Sequence, residues 1–218
     1  MIIAIDGPAG AGKSTVARGV AKRLGFQFLD TGAMYRAVAL VALEQGVDFY
    51  DEIPDDEPVT KIAREIDLFV DGEVTRIGER DVSSQIRTQQ VSDASSKVAA
   101  IPGVRKELVN LQRKVAAGRD YVCEGRDQGS IVFPDAEFKF YVTASIEERA
   151  KRRWRDLVKH DPDLKLEQVI VEQEDRDRRD SEREIGALQK AADAIEVHTN
   201  AMSSEQVIEA IVTMVSTR

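Results

Sequence analysis

The run Gly7-Pro8-Ala9-Gly10-Ala11-Gly12-Lys13-Ser14-Thr15 sets glycines, a lysine and a hydroxyl at the spacing G-x-x-x-x-G-K-[S/T]. That spacing suits one ligand chemistry. Glycines let the backbone bend closely around phosphate oxygens, the loop N–H groups turn inward, and a following helix presents its partially positive N-terminus to the anion. Lys13 adds a positive charge, and the Ser14 hydroxyl is placed to ligate a Mg²⁺ that bridges the outer phosphates. The pattern implies a bound nucleoside triphosphate when a strand precedes it and a helix follows.

Both flanks meet that condition. Ile2-Ile3-Ala4-Ile5 reads as a buried strand, and Val16, Val20 and Leu24 recur four residues apart beside Ala17 and Ala21, the stripe of an amphipathic helix that Gly25 stops. Further strands are predicted at Phe26 to Leu29, Tyr121 to Cys123, Phe138 to Val142 and Ile195 to His198, with helical stretches between them. Such alternation implies an α/β fold with a parallel sheet wrapped by helices. Capping boxes are predicted at Ser145 with Glu148 and at Ser203 with Gln206, each opening a helix. Ligands of open parallel sheets gather beyond the carboxyl ends of the strands, so Asp30-Thr31 and Glu124-Gly125-Arg126-Asp127 should face the phosphate loop.

From about residue 44 to 95 the pattern changes. Asp51 to Pro58 is acidic and proline-bearing, which marks a loop, and Leu68 to Val70 with Val74 to Ile77 around Asp71-Gly72 reads as an antiparallel hairpin. Either an inserted subdomain or a decorative surface excursion fits that stretch.

With 218 residues, 42% of them hydrophobic, the chain can bury a substantial core as one domain. A net charge of −8 argues against broad binding of nucleic acid or acidic membrane. One cysteine, Cys123, excludes an internal disulfide, and the isolated His160 and His198 make no metal-ligand cluster. No apolar run is long enough to span a membrane and no leader is evident, so a cytoplasmic protein is expected.

Two basic runs admit alternatives. Arg149-Ala150-Lys151-Arg152-Arg153-Trp154-Arg155 is either a solvated helix face or a lid that carries arginines to transferring phosphates. On a helix, Arg176, Asp180 and Arg183 stand at i, i+4 and i+7 and share a face, as a salt-bridge ladder or as a clamp on a sugar and a phosphate. Spacing does not separate these.

Taken together, several segments resemble the bacterial cytidylate kinases, a family of nucleoside monophosphate kinases. They are Ile5 to Thr15; Leu29-Asp30-Thr31-Gly32-Ala33-Met34-Tyr35-Arg36; Ile86-Arg87-Thr88 with Ser96 to Ala100 and Val104-Arg105; Glu124 to Asp127 with Val132 to Ala136; and Arg176-Asp177 through Asp180 to Arg183. The resemblance implies a P-loop NTPase-type five-stranded parallel sheet in a single kinase domain. Its core would comprise about 1–43, 96–148 and 185–218, with a monophosphate-binding insert at about 44–95 and a short helical lid at about 149–184. It implies phosphoryl transfer from ATP, with Mg²⁺, to CMP or dCMP by a monomer, with no nucleic-acid or membrane partner. Carried over position by position, Thr31, Arg36 and Arg126 would engage the acceptor's phosphate, while Ser96, Arg105 and Asp127 would read cytosine. Arg176, Asp180 and Arg183 would contact the acceptor's sugar and phosphate, and Lys13, Arg126, Arg152, Arg176 and Arg183 would supply catalytic charge. Thr31 stands where the family often has serine, and Ala187-Leu188 where it commonly has Pro-Leu.

Two other functions compete. A shikimate-type kinase would need a carboxylate near an acceptor hydroxyl, for which Asp30 is the candidate. A nucleotide-dependent switch of the GTPase kind would carry an Asn-Lys-x-Asp base reader, which this sequence lacks.

Overall fold

The structure, a computed structural model, describes residues 1–49, 56–72, 74–159 and 161–217. Strand β1 (Ile2–Asp6) runs through the phosphate loop into α1 (Lys13–Leu24), and β2 (Gln27–Asp30) passes directly into α2 (Thr31–Glu44). There follow α3 (Asp56–Glu65), the antiparallel strands β3 (Leu68–Asp71), β4 (Val74–Ile77) and β5 (Arg80–Asp81), then α4 (Gln89–Val98) and α5 (Pro102–Ala116). The chain returns to the main sheet through β6 (Tyr121–Gly125) and β7 (Phe138–Thr143). It leaves as α6 (Ile146–Leu157) and α7 (Leu166–Ser181) before closing with β8 (Ile195–His198) and α8 (Ser204–Ser216).

Five strands form one parallel sheet in the order β2-β6-β1-β7-β8. Parallel sheets are covered on both faces, and so is this one. Ile3, Ile5 and Phe140 pack with Val16 and Val20 of α1 and Ile211 of α8, while Leu29 joins Met34 of α2 and Leu108 of α5 in a second core. Burying a side chain such as Ile3 or Leu108 stabilises by roughly 1.5–3 kcal/mol. Cys123 of β6 lies inside this second core, and burial pushes its thiol pKa up. Register matters for function: Asp6 pairs with Gly125 and Asp30 with Glu124, so the carboxyl ends of β1, β2 and β6 lie abreast.

Several local expectations are revised. Residues 51–55 of the expected acidic loop, and His160, lie outside the described residues, but Asp56-Glu57-Pro58 opens α3 rather than extending that loop. Proline is tolerated in a first turn because its missing N–H has no helical partner there, and the two acids meet the positive helix end. The hairpin is present, and Arg80-Asp81 adds a third strand to it. At α8 the Ser203–Gln206 capping box forms. At α6 only half of one does: Ser145 Oγ accepts from Glu148 N, but the Ser145 N–H donates to Asn200 Oδ1 at 2.9 Å and Arg152 takes the Glu148 carboxylate. Arg183 lies two residues beyond the end of α7 and folds back to pair with Asp180.

Candidate active site

Beyond the carboxyl ends of β1, β2 and β6 lies a cleft of about 480 Å³. Its donor side is the phosphate loop. Gly12 caps α1 with φ of +89°, a left-handed conformation that glycine adopts without strain, and this turns the start of α1 toward the cleft. Ala9, Gly10, Gly12, Lys13, Ser14 and Thr15 line it, whereas Gly7, Pro8 and Ala11 do not. Lys13 Nζ donates to the Pro8 carbonyl at 2.7 Å. Burial, and next the Arg126 charge, lower its pKa to about 7 against the pull of Glu124 and Asp6.

All nine residues expected on the acceptor side line the same cleft. Thr31, at the first position of α2, donates its hydroxyl to the Glu124 carbonyl at 2.6 Å. Arg36, one turn further along, bonds Asp30 at 3.1 Å. Arg105 of α5 pairs with Asp127 Oδ2 and also donates to the Ala99 carbonyl at 3.3 Å. Burial raises the Asp127 pKa, with Arg105 and Arg183 opposing it. Asp180 accepts from Arg126 Nε at 2.8 Å and from Arg183. Burial alone would raise the Asp180 pKa, but Arg126, Arg183 and Arg176 together hold it below the usual carboxylate range. The ladder along α7 is therefore replaced by a cross-link: Asp180 is held by an arginine from β6's end and by one past α7. Arg176 keeps a buried Nε without a partner, and burial, followed by repulsion from Arg126, lowers its pKa to about 10.

Eight basic side chains and five carboxylates face this cleft, an excess of positive charge inside a protein of net charge −8. Buried polar atoms normally find partners, yet Ser96 Oγ, Arg36 Nε, Arg105 Nε, Arg176 Nε and Glu124 Oε1 have none among the described residues. These residues, four with orphaned donors and one with an orphaned acceptor, line one cleft. Arg152 also lines it, but its guanidinium is engaged by Glu148, the Ala11 carbonyl and Thr199.

Glu124 was legible only as part of a segment, not as a functional side chain. It is fully buried beside Lys13 and Ser14 on one side and Asp30 and Arg36 on the other, and burial, then Asp30, raises its pKa. Asp30, the carboxylate a hydroxyl-directed kinase would use, is otherwise occupied: it caps α2 through Ala33 N at 2.8 Å and holds Arg36. Asp6 spends both oxygens on the N–H groups of Gln128 and Gly129, each at 2.8 Å.

Comparison with known proteins bears on this arrangement. The sequence profile of the cytidylate kinases matches residues 3–217, nearly the full chain. This chain belongs to the cytidylate kinase family. It is 46% identical to a cytidylate kinase of Caldanaerobacter subterraneus subsp. tengcongensis, over 96% of this chain and 92% of that protein. With a cytidylate kinase of Carboxydothermus hydrogenoformans it shares 47% identity, over 95% and 94% of the two chains. Among solved structures, shikimate kinase from Acinetobacter baumannii in complex with shikimate superposes with a TM-score of 0.50 at 17% identity, covering 99% of this chain and 93% of that one. An uncharacterized protein from Eubacterium ventriosum gives 0.56 at 13%, covering 100% and 99%. At such identities these two speak for the fold alone. No helix among the described residues is long and apolar enough to cross a membrane.

Proposed function

We propose that the chain transfers the γ-phosphoryl group of Mg²⁺-ATP to the 5′-phosphate of CMP or dCMP. The observation that carries this reading is the buried Arg105–Asp127 pair, which opens on the same cleft as the phosphate loop. Arg105 occupies Oδ2 of Asp127, leaving Oδ1 to accept from the cytosine N4 amino group while Arg105 and the unpartnered Ser96 hydroxyl donate to N3 and O2. Uracil would set a carbonyl against the carboxylate, a buried mismatch that costs roughly 1–3 kcal/mol.

The acceptor phosphate is largely ionised near neutral pH, its second pKa being about 6, so no general base is required. Repulsion between two anions is the obstacle instead. Lys13, Arg36, Arg126 and Arg176 answer it by charge compensation around the transferring group, and closure of the lid over both substrates would exclude water. Arg183 holds the Asp180 cross-link that steadies Arg126, and Arg152 steadies the loop through the Ala11 carbonyl.

The residues present fit Mg²⁺. This ion takes one or two protein oxygens and completes its shell with water and substrate phosphate. Ser14 sits in the cleft beside Glu124, whose Oε1 is buried without a partner. Ser14 would ligate the ion and Glu124 would receive a hydrogen bond from its water; when bound it supplies charge neutralisation at the β- and γ-phosphates. We also read residues 44–95 as the monophosphate-binding insert, 149–184 as the lid, and the protein as cytoplasmic and monomeric.

A coupled assay of ADP release with CMP, dCMP, UMP, AMP and shikimate tests the reading. CMP and dCMP should support turnover well above the rest. Equal rates with UMP would refute base reading by Asp127, and turnover with shikimate alone would refute the acceptor class.

A further inference from the structure

A loop that turns its N–H groups toward phosphate turns its carbonyls outward, and buried carbonyls need donors. Two of them find guanidinium groups of α6. Arg152 Nη1 donates to the Ala11 carbonyl at 3.3 Å, and Arg149 Nη1 donates to the Ala9 carbonyl at 3.0 Å. Unlike Arg152, Arg149 does not line the cleft; it lies behind the loop and is only 6% exposed.

Its other N–H groups bind three further partners. Nε donates to the Ala144 carbonyl just past β7 at 3.0 Å, Nη1 donates to Gln173 Oε1 at 3.2 Å, and Nη2 pairs with Asp177 Oδ2 at 2.7 Å. One guanidinium therefore joins the sheet, the phosphate loop and α7. The fit is tight. A Cβ on Gly10 would stand 2.9 Å from Gln173 Nε2 and 3.1 Å from Arg149 Cβ, so this loop position is closed to a side chain by the lid as well as by its φ of +76°. Further along α7, Arg176 and Asp180 face the cleft. Arg149 and Gln173 thus stand between the loop and the helix that carries Arg176 and Asp180.

We propose that Arg149, acting through Gln173 and Asp177, is a positioning residue that couples the phosphate loop to the acceptor clamp on α7, so that nucleotide at either subsite strengthens binding at the other. The inference rests on the reading that Arg176 and Asp180 face the acceptor. Neither Arg149 nor Gln173 lines the cleft, so their effect is transmitted, not direct. Such coupling is reciprocal by linkage.

The test is the CMP dissociation constant measured calorimetrically with and without a non-hydrolysable ATP analogue and Mg²⁺. Wild type, the double variant Gln173→Leu/Asp177→Ala, Arg149→Lys and Arg176→Ala are compared, with a melting curve for each. In the wild type the analogue should tighten CMP by a factor of about 5 to 150. The double variant Gln173→Leu/Asp177→Ala keeps Arg149's bonds to Ala9 and Ala144 but removes both of its partners on α7, so the factor should fall toward 1 while CMP affinity measured alone stays near wild type. Arg149→Lys keeps a charge but replaces the rigid fork by a single ammonium that cannot serve four groups, and should behave alike. A wild-type factor of 1, or a factor that survives in Gln173→Leu/Asp177→Ala, overturns the proposal. Arg176→Ala should weaken CMP with or without the analogue; unchanged affinity would overturn it through its premise, a result distinct from failure of the link.

Discussion

Nucleotide binding at pH 8 should draw protons out of solution onto Lys13. In the ligand-free protein this side chain is buried, donates to the Pro8 carbonyl, and has its pKa lowered to about 7 by burial and then by Arg126. Triphosphate oxygens placed against it favour the charged form and lift the pKa back toward the ordinary lysine value of about 10.4. A group of pKa about 7 is about one-tenth protonated at pH 8, half at pH 7 and nine-tenths at pH 6. Lys13 should therefore take up about 0.9 proton at pH 8, about 0.5 at pH 7 and about 0.1 at pH 6. At pH 8 the terminal phosphate of ATP, with a pKa of about 6, is already ionised and contributes little. Titration calorimetry of Mg²⁺-ATP in buffers of different ionisation enthalpy reads the number directly as a slope. Lys13→Arg, charged at every pH used, should erase the uptake. A slope near zero at pH 8 in the wild type would refute the argument that burial and Arg126 strip the proton from Lys13.

Three further outcomes are expected. Asp127→Ala should bring the kcat/KM values for CMP and UMP closer together by about 5- to 150-fold, the equivalent of roughly 1–3 kcal/mol; an unchanged ratio would remove Asp127 from base reading. Arg36→Ala should raise the KM for CMP far more than that for ATP, since Arg36 is carried by α2 and held by Asp30 rather than by the loop, and equal damage in steady-state kinetics would contradict that. Asp6→Asn should lower stability in urea unfolding by about 1–3 kcal/mol, because an amide NH₂ would face one of the two N–H groups that the carboxylate now receives; an unchanged midpoint would show that those bonds carry no weight.

What the sequence discloses follows from how local each signal is. β1, β2, β6, β7 and β8 stand where their apolar runs place them, and α1 ends at Gly25, because each depends on residues within a few positions. Arg80-Asp81 carries no apolar pattern and becomes a strand only by pairing with β4. Ser145 loses half of its capping box to Asn200, which reaches it from 55 residues away. Arg149 belongs to a run that reads as a uniform charged helix face, yet its partner at Ala9 is 140 residues distant, and nothing in the run distinguishes it from Arg155, which stays exposed. Composition likewise could not single out Glu124, whose interest lies in one oxygen without a hydrogen-bond partner among the described residues.

Cys123, sealed inside the second core on β6, gives the protein a practical asset. It is the chain's one cysteine, and a thiol so buried and so hard to ionise resists maleimide reagents under native conditions. New cysteines at the exposed Glu172 on α7 and Lys61 on α3 can therefore take up a pair of fluorophores without removal of the native residue. The separation of those two helices can then be followed by energy transfer while each nucleotide arrives, in a molecule whose interior is untouched.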